Sequence, residues 1–198
     1  MIPKSCSPDQ LLPSLARMSN QWPQRIPYPL CKEGEIGVYG PITNGQRIAR
    51  HLAPDILAGI GAQSGALLHR GTLRPSLREM IIVRIGYHTG SAYEVYQHRS
   101  LALSLGVPEI KLDALACINP DNLEESERVA ILFVDELLTR NRPTDDVVAA
   151  LRARFSDGQV LEIIAVTGNW WMLAKMLETS GVPLDEEAIG ERGKEERK

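Results

Sequence analysis

Apolar residues recur at helical spacing along most of this chain, and no stretch alternates apolar and polar residues long enough to make a sheet. Thr43 and Asn44 can cap a helix running to residue 52. Ala53-Pro54-Asp55 opens the next, to about residue 69, with Ile56, Leu57, Ile60, Leu67 and Leu68 apolar. A helix begins at Pro75 and buries Leu77, Met80, Ile81, Val83 and Ile85. Thr89-Gly90-Ser91 breaks and recaps the chain, and a helix over 91–105 follows, closed by Gly106. The spacing further predicts a short helix over 108–116 and an amphipathic one over 124–140. A helix over 147–155 is capped by Thr144-Asp145-Asp146. A long final helix over 157–179 is apolar until Lys175, which places its middle at the centre of the molecule. Gly181-Val182-Pro183 ends it. The pattern is all-α.

The two ends read differently. Pro3, Pro8, Pro13, Pro23, Pro27 and Pro29 crowd the first forty residues. There, only 9–20 looks helical, with Leu11, Leu12, Leu15 and Met18 on one side. Residues 21–40 read as an extended arm, because each proline biases its predecessor away from the α region. Such an arm must lie on its own body or on a neighbouring subunit. The sequence therefore divides into a helix and Pro-rich arm over 1–42, a helical domain over 43–183 and a charged tail over 184–198 that reads as frayed.

Composition mostly excludes. The net charge is −3, and no basic run with interleaved aromatics is present, so nucleic acid is not an expected partner. The longest apolar windows, such as 129–134, are short and flanked by charge, so no membrane span is expected. The N-terminus has no apolar signal core, which makes a cytoplasmic location the expectation. Cys6, Cys31 and Cys117 are odd in number and widely spaced, and form no CxxC. They read as reduced thiols of a cytosolic protein, with an intermolecular bridge as the alternative. His51, His69, His88 and His98 lack ligand spacing, so neither a metal nor another cofactor is expected.

The chemistry concentrates in 79–98. Ser91, Glu94 and His98 stand at i, i+3 and i+7, on one face of a helix. Glu79 lies across the Gly90 break, and an antiparallel helix pair could return it to that face. Two carboxylates, a hydroxyl and an imidazole on one surface are acid–base equipment. Each has a plainer reading beside the catalytic one. His98 could be a satisfied core histidine, Glu79 could pair with Arg78, Arg84 or Arg99, and Ser91 could be a helix N-cap. Glu94, in an otherwise apolar and aromatic helix, should be buried, and a buried carboxylate needs a partner. Tyr93 and Tyr96 are candidate substrate-binding groups that also fit core packing. Trp170 and Trp171 read as packing, with a pocket wall as the alternative.

Arg78-Glu79, the apolar run after it, the Thr-Gly-Ser-Ala-Tyr-Glu-Val-Tyr-Gln-His segment ending at His98, and Gly106-Val-Pro-Glu-Ile110 together resemble the carboxymuconolactone decarboxylase and alkylhydroperoxidase-D-like (AhpD-like) superfamily. Glu125-Ser-Glu-Arg-Val-Ala130, and Gln159-Val-Leu-Glu-Ile163 followed by Gly168-Asn-Trp-Trp-Met-Leu-Ala174, extend the resemblance over about 43–183. It implies an all-α fold and assembly as trimers or hexamers. The peroxidase branch carries Glu, then Cys-x-x-Cys, then His. Its Glu falls on Glu79, its cysteines on Ser91 and Glu94, and its His on His98. A serine cannot cycle through a disulfide, so the resemblance does not bring peroxidase activity with it. The decarboxylase branch carries His-Glu-x-x-x-His. Its Glu and second His fall on Glu94 and His98, and its first His on Tyr93. The chain looks most like the longer, cysteine-free members.

The leading expectation is a cofactor-free enzyme that does acid–base chemistry on a small carbonyl or lactone substrate, by decarboxylation, lactone opening or isomerisation. Glu79, Glu94 and His98 would be catalytic, and Ser91, Tyr93 and Tyr96 would bind substrate. The alternative is a non-catalytic oligomeric binding protein of the same fold.

Overall fold

A computed structural model describes residues 6–19, 22–30, 36–37, 40–140 and 142–191. Eight α-helices are present among them: α1 (Asn44–Ala49), α2 (Pro54–His69), α3 (Pro75–Thr89), α4 (Ala92–Ser104), α5 (Glu109–Ala114), α6 (Glu125–Thr139), α7 (Asp145–Arg152) and α8 (Asp157–Ser180). The only sheet among the described residues is one antiparallel pair of two-residue strands, β1 (Ile36–Gly37) and β2 (Gly40–Pro41). Local chemistry explains the boundaries. Thr43 with Gln46, and Ser156 with Gln159, form reciprocal capping boxes at the starts of α1 and α8. Proline opens α2 and α3, where its missing N–H costs nothing. Gly90, in the left-handed region at φ 71°, ends α3 and turns the chain directly into α4.

The antiparallel α3–α4 hairpin and α8 form the centre, and α6 packs on α3 from another side. Every residue of α3 from Leu77 to Tyr87 is buried. Helix α8 contributes Val160, Ile163, Val166, Trp170 and Ala174 to the interior. Its length and apolarity would also suffice to cross a membrane, which corrects the expectation that no segment comes near a span. Its packing against α1, α2, α3, α4, α6 and α7 is that of a core helix.

The α-helix expected over 9–20 does not form in its described part, 9–19. Two 3₁₀ turns, Pro8–Gln10 and Pro13–Arg17, stand there, because Pro13 lacks the N–H that a continuous helix would require. The described part of the arm lies on its own body. Leu12 and Leu15 are buried, Ser14 donates to the Tyr87 carbonyl, and the Arg25 and Ile26 amides donate to the Ser180 carbonyl. Residues 31–35, 38–39 and 192–198 lie outside the description, and Cys31 with them.

Cys6 and Cys117 form a disulfide within the chain, correcting the expectation of reduced thiols. It clips the N-terminal segment to the loop between α5 and α6, where Leu11 also makes a β-bridge with Cys117. The charged tail is corrected as well. Through residue 191 it folds back over α4, with Ala188 1% exposed. Asp185 accepts from the Tyr93 hydroxyl, the Gln97 amide and the Asn44 backbone N–H, and the Ile189 amide donates to Gln97.

A second polar hub holds the other side. Arg84 on α3 is fully buried and uses all its donors. They reach both carboxylate oxygens of Asp135 on α6, at 2.7 Å each, and the carbonyls of Leu115, Cys117 and Ile118. His88, assigned no role from sequence, completes the hub with a 2.8 Å bond to Asp135. Burial alone would raise the Asp135 carboxyl, but His88 and Arg84 outweigh it and hold it below its ordinary value.

Arg84→Met should strand Asp135 and three loop carbonyls. It is expected to cost about 3 kcal/mol or more, the usual loss when one partner of a buried pair is removed. Urea unfolding with the disulfide intact measures it; a loss below about 1 kcal/mol would mean that water replaces the guanidinium.

Candidate active site

The sharp turn at Gly90 lays α4 back along α3. A side chain at Gly86 would meet Val95 at 2.9 Å and the Glu94 Cβ at 3.3 Å, so glycine there lets the first turn of α4 sit tightly on α3. Ser91 is the N-cap of α4, and its oxygen accepts from the Glu94 amide at 3.4 Å. Glu94 and His98 are thereby fixed one turn apart, facing Glu79 near the start of α3.

The side chains converge. Glu79 Oε2 lies 2.7 Å from His98 Nδ1. Its other oxygen accepts from Arg78 Nε and Nη2, at 3.1 and 3.0 Å. On the opposite edge of the imidazole, Nε2 is 2.9 Å from the indole Nε1 of Trp170 and 3.4 Å from Glu94 Oε2. The Trp170 ring meets the imidazole edge-on, at 90° and 5.6 Å between centroids. Glu79, Glu94, His98 and Trp170 are 1%, 4%, 7% and 2% exposed, so the cluster is sealed.

These contacts set the protonation states. An indole N–H can only donate, so Nε2 must be unprotonated to accept it, and the ring proton then sits on Nδ1, given to Glu79. Burial pulls the imidazole pKa down, but Glu79 in bonding contact and Glu94 beside it outweigh burial and raise it. Burial would likewise raise Glu79, yet His98 and Arg78 hold it below the ordinary carboxylate value. Glu94 has no such support. Burial, opposed by His98 and assisted by Glu178 and Glu79, pushes its pKa up to about 7. Near neutral pH a proton can therefore reside on Glu94, or on Nε2 at the cost of the Trp170 bond.

Of the residues singled out in the sequence, Glu79, Glu94 and His98 meet, with Ser91 at the cap beside them. The tyrosine hydroxyls do not join them. Tyr93 donates to Asp185 at 2.5 Å and accepts from the Gly45 amide at 2.9 Å, so its hydroxyl serves the tail and α1. Tyr96 is half-buried against the tail, with its hydroxyl 3.4 Å from the Glu186 carbonyl. Two further neighbours, Trp170 and Glu178, carry no signal in the local sequence. From the sequence Trp170 reads as packing, with a pocket wall as the alternative, and nothing local marks its N–H as a histidine partner. Arg78 pairs with Glu79, one of the three partners the sequence offered it. Glu178, near the end of α8, lines a small cleft together with Ala92 and Tyr93 of the first turn of α4, and burial raises its carboxyl. Among the described residues no group of three or more His, Cys, Asp or Glu is arranged to hold a metal ion.

Two surface cavities are defined. A small cleft is lined by Ser19, Trp22, Ala92, Tyr93, Glu178 and Leu184, among others. A larger open cleft of about 440 Å³, between α1 and the outer side of α8, is mostly apolar and carries Trp171 and Lys175. His98 and Glu94 line neither of these clefts.

No protein-family model and no curated protein matches the sequence. Solved structures do match. An uncharacterised peroxidase-related protein with an alkylhydroperoxidase AhpD core, from Ralstonia eutropha JMP134, superposes with a TM-score of 0.66 at 22% identity, over 73% of this chain and 78% of that one. An uncharacterised peroxidase-related protein from Silicibacter sp. TM1040 gives 0.65 at 20% identity, over 73% and 78%. A protein of unknown function from Agrobacterium tumefaciens, described as an AhpD antioxidant-defence candidate, gives 0.63 at 20% identity, over 68% and 94%. At these identities it is the architecture that is shared, and the chain has the all-α AhpD-like fold.

Proposed function

We propose that the chain is a cofactor-free enzyme moving a proton on a small carbonyl or lactone substrate, in a decarboxylation, lactone opening or isomerisation. Glu94 and His98 are the transferring groups, and Glu79 with Arg78 holds the imidazole. The observation that carries this reading is His98 Nε2 poised between the Trp170 N–H and a carboxyl whose pKa is about 7. Burial brings the Glu94 carboxyl into the neutral range while Glu79 and Glu94 raise the imidazole, so a proton can move to or from this pair near neutral pH. The peroxidase descriptions of the structural neighbours do not carry over, because Ser91 and Glu94 occupy the positions where the redox cysteines would stand. The sealing of the cluster favours a second reading, a binding protein in which these groups are structural.

We further propose a homo-oligomer, a trimer or a hexamer. Helix α2 buries none of its sixteen residues although it is rich in Ile, Leu and Ala. Leu161, Ile164 and Trp171 of α8 are exposed as well. Light scattering at micromolar concentration should give a multiple of 21.9 kDa; a monomer would refute the assembly.

Activity separates the two functional readings. In a metabolite-turnover screen, His98→Ala and Glu94→Gln should each lose at least about 100-fold in rate, the usual contribution of general acid–base groups. Circular dichroism should show both folded. Full turnover by both folded variants would refute the proposal.

Stability supplies a substrate-free check on Glu94. Its folded pKa of about 7 exceeds the ordinary 4.5, so above pH 4.5 the folded chain holds a proton that the unfolded chain has released. The resulting penalty grows up to about pH 7 and is constant beyond, on the order of 3 kcal/mol in all. Glu94→Gln lacks it. The melting-temperature difference, variant minus wild type, should therefore rise from pH 5 to pH 7 and then level off. A difference independent of pH would show that Glu94 is ionised throughout.

A further inference from the structure

Residues 6–19 lie across the end of the α3–α4 hairpin, and little in their own sequence shapes them. Their helical content is two 3₁₀ turns of three and five residues, and such turns do not persist alone. The body supplies the rest. Leu12 and Leu15 are buried. The Leu12 amide donates to the Ala116 carbonyl at 3.0 Å, and the Ile118 amide donates to the Gln10 carbonyl at 2.7 Å. The Ser14 hydroxyl donates to the Tyr87 carbonyl. Ordering such a segment costs backbone entropy along its whole length, and two buried leucines with a few hydrogen bonds offset only part of it. Its closure therefore leans on the covalent bond from Cys6 to Cys117.

We propose that the Cys6–Cys117 disulfide is a redox latch: a dithiol reductant opens it, residues 6–19 come away from the body, and the turn that carries Gly90 and Ser91 loses its cover. The two ends of the bond are unequal. Cys117 is buried, and its loop is fixed from inside by Arg84, which donates to the carbonyls of Leu115, Cys117 and Ile118 and is itself paired with Asp135. That anchor does not need the disulfide. Cys6 is half-buried, and Ser7 and Pro8 after it are exposed, so a reductant reaches the bond from that side. In the first step a thiolate of the dithiol attacks Cys6 Sγ. The S–S bond breaks, and its electron pair leaves on Cys117 Sγ, which takes a proton. The second thiolate of the dithiol then attacks the first in the mixed disulfide, and Cys6 Sγ leaves with the electron pair and takes a proton. The chain gains two electrons and two protons, and the dithiol becomes an intramolecular disulfide.

What the latch covers ties it to the candidate site. A Cβ at Gly90 would stand 3.2 Å from the Ser14 carbonyl oxygen, so the segment lies directly on the residue that turns α3 into α4. Ser91, the next residue and the N-cap of α4, is 0% exposed. Ser19 lies on the same side, in one cleft with Ala92 and Tyr93. Farther along, the Arg25 and Ile26 amides hold the arm to the Ser180 carbonyl at the end of α8, an anchor that the disulfide does not touch. Where thiols are kept reduced, the turn is uncovered for part of the time; under oxidising conditions it stays shut. The inference rests on these contacts and not on the acid–base reading.

Hydrogen exchange read by mass spectrometry tests the latch in the full chain, oxidised or held in dithiothreitol, and needs no substrate. Under native conditions dithiothreitol should open the bond, so that alkylation labels both Cys6 and Cys117. Peptides covering 6–19 and 87–95 should then exchange at least about tenfold faster, while peptides from the middle of α8 change by less than about twofold. Cys6→Ser combined with Cys31→Ser, the second change preventing a new pairing with Cys117, should exchange like the reduced chain and ignore dithiothreitol. A bond that dithiothreitol leaves closed in the folded chain overturns the proposal, as does exchange over 6–19 that reduction leaves unchanged. Acceleration over 6–19 that does not extend to 87–95 overturns it too, since the bond would then hold only the N-terminal segment. Equal acceleration in α8, or loss of the helical circular-dichroism signal on reduction, would make the disulfide a staple of the whole fold and not a latch. A double variant that still responds to dithiothreitol would place the effect outside this bond and overturn the proposal as well.

Discussion

The 2.7 Å bond between Glu79 and His98 is the contact on which the site depends. It crosses the α3–α4 hairpin inside the protein, where a charge without a partner is costly. Glu79 remains ionised there because it has two partners, Arg78 and His98. His98 is held in one orientation because one nitrogen is claimed by Glu79 and the other by Trp170. Without Glu79 the imidazole would lose the group that fixes its tautomer, and Glu94 would be the only carboxylate beside it. The result is a graded set: one carboxyl stabilised in its charged form, one pushed toward neutrality, and an imidazole between them. Such separation of proton affinities within one cluster is what acid–base chemistry requires.

The rest of the chain keeps that hairpin in place and covered. Arg84 and Asp135 tie α3 to α6 and to the loop containing Cys117, on the side away from His98. The disulfide and Leu11 secure the N-terminal segment to the same loop. Over α4 the tail is anchored by Asp185, whose three donors come from α1 and α4. This accounts for Tyr93 and Gln97 being polar residues on a buried helix face, a pattern that could be taken for substrate binding.

Much of the fold was legible because it is written in local chemistry. Pro54 and Pro75 at helix starts, Gly90 and Gly181 at helix ends, and Thr43, Ser91 and Ser156 as caps are one-residue signals that tertiary packing did not override. Where a local signal conflicted with the pattern, the local signal prevailed: Leu11, Leu12, Leu15 and Met18 suggested a helix, but Pro13 reduced it to 3₁₀ turns. Long-range partners were not legible. Nothing near Cys6 points to Cys117, 111 residues away, and nothing near Trp170 points to His98.

The sequence by itself determined the helices, the hairpin at Gly90 and, through the i, i+3, i+7 spacing on one helix, the shared face of Ser91, Glu94 and His98. These follow from the period of the α-helix and from turn geometry, which are properties of adjacent residues. Only the tertiary structure decided which of the polar residues work together. It gave His98 the indole of Trp170, gave Tyr93 to Asp185 rather than to the site, and set Glu178 in one cleft with Ala92 and Tyr93. It also decided the proton affinities, because burial and neighbouring charge come from the packing of α3, α4 and α8 together, and no window of sequence contains all three.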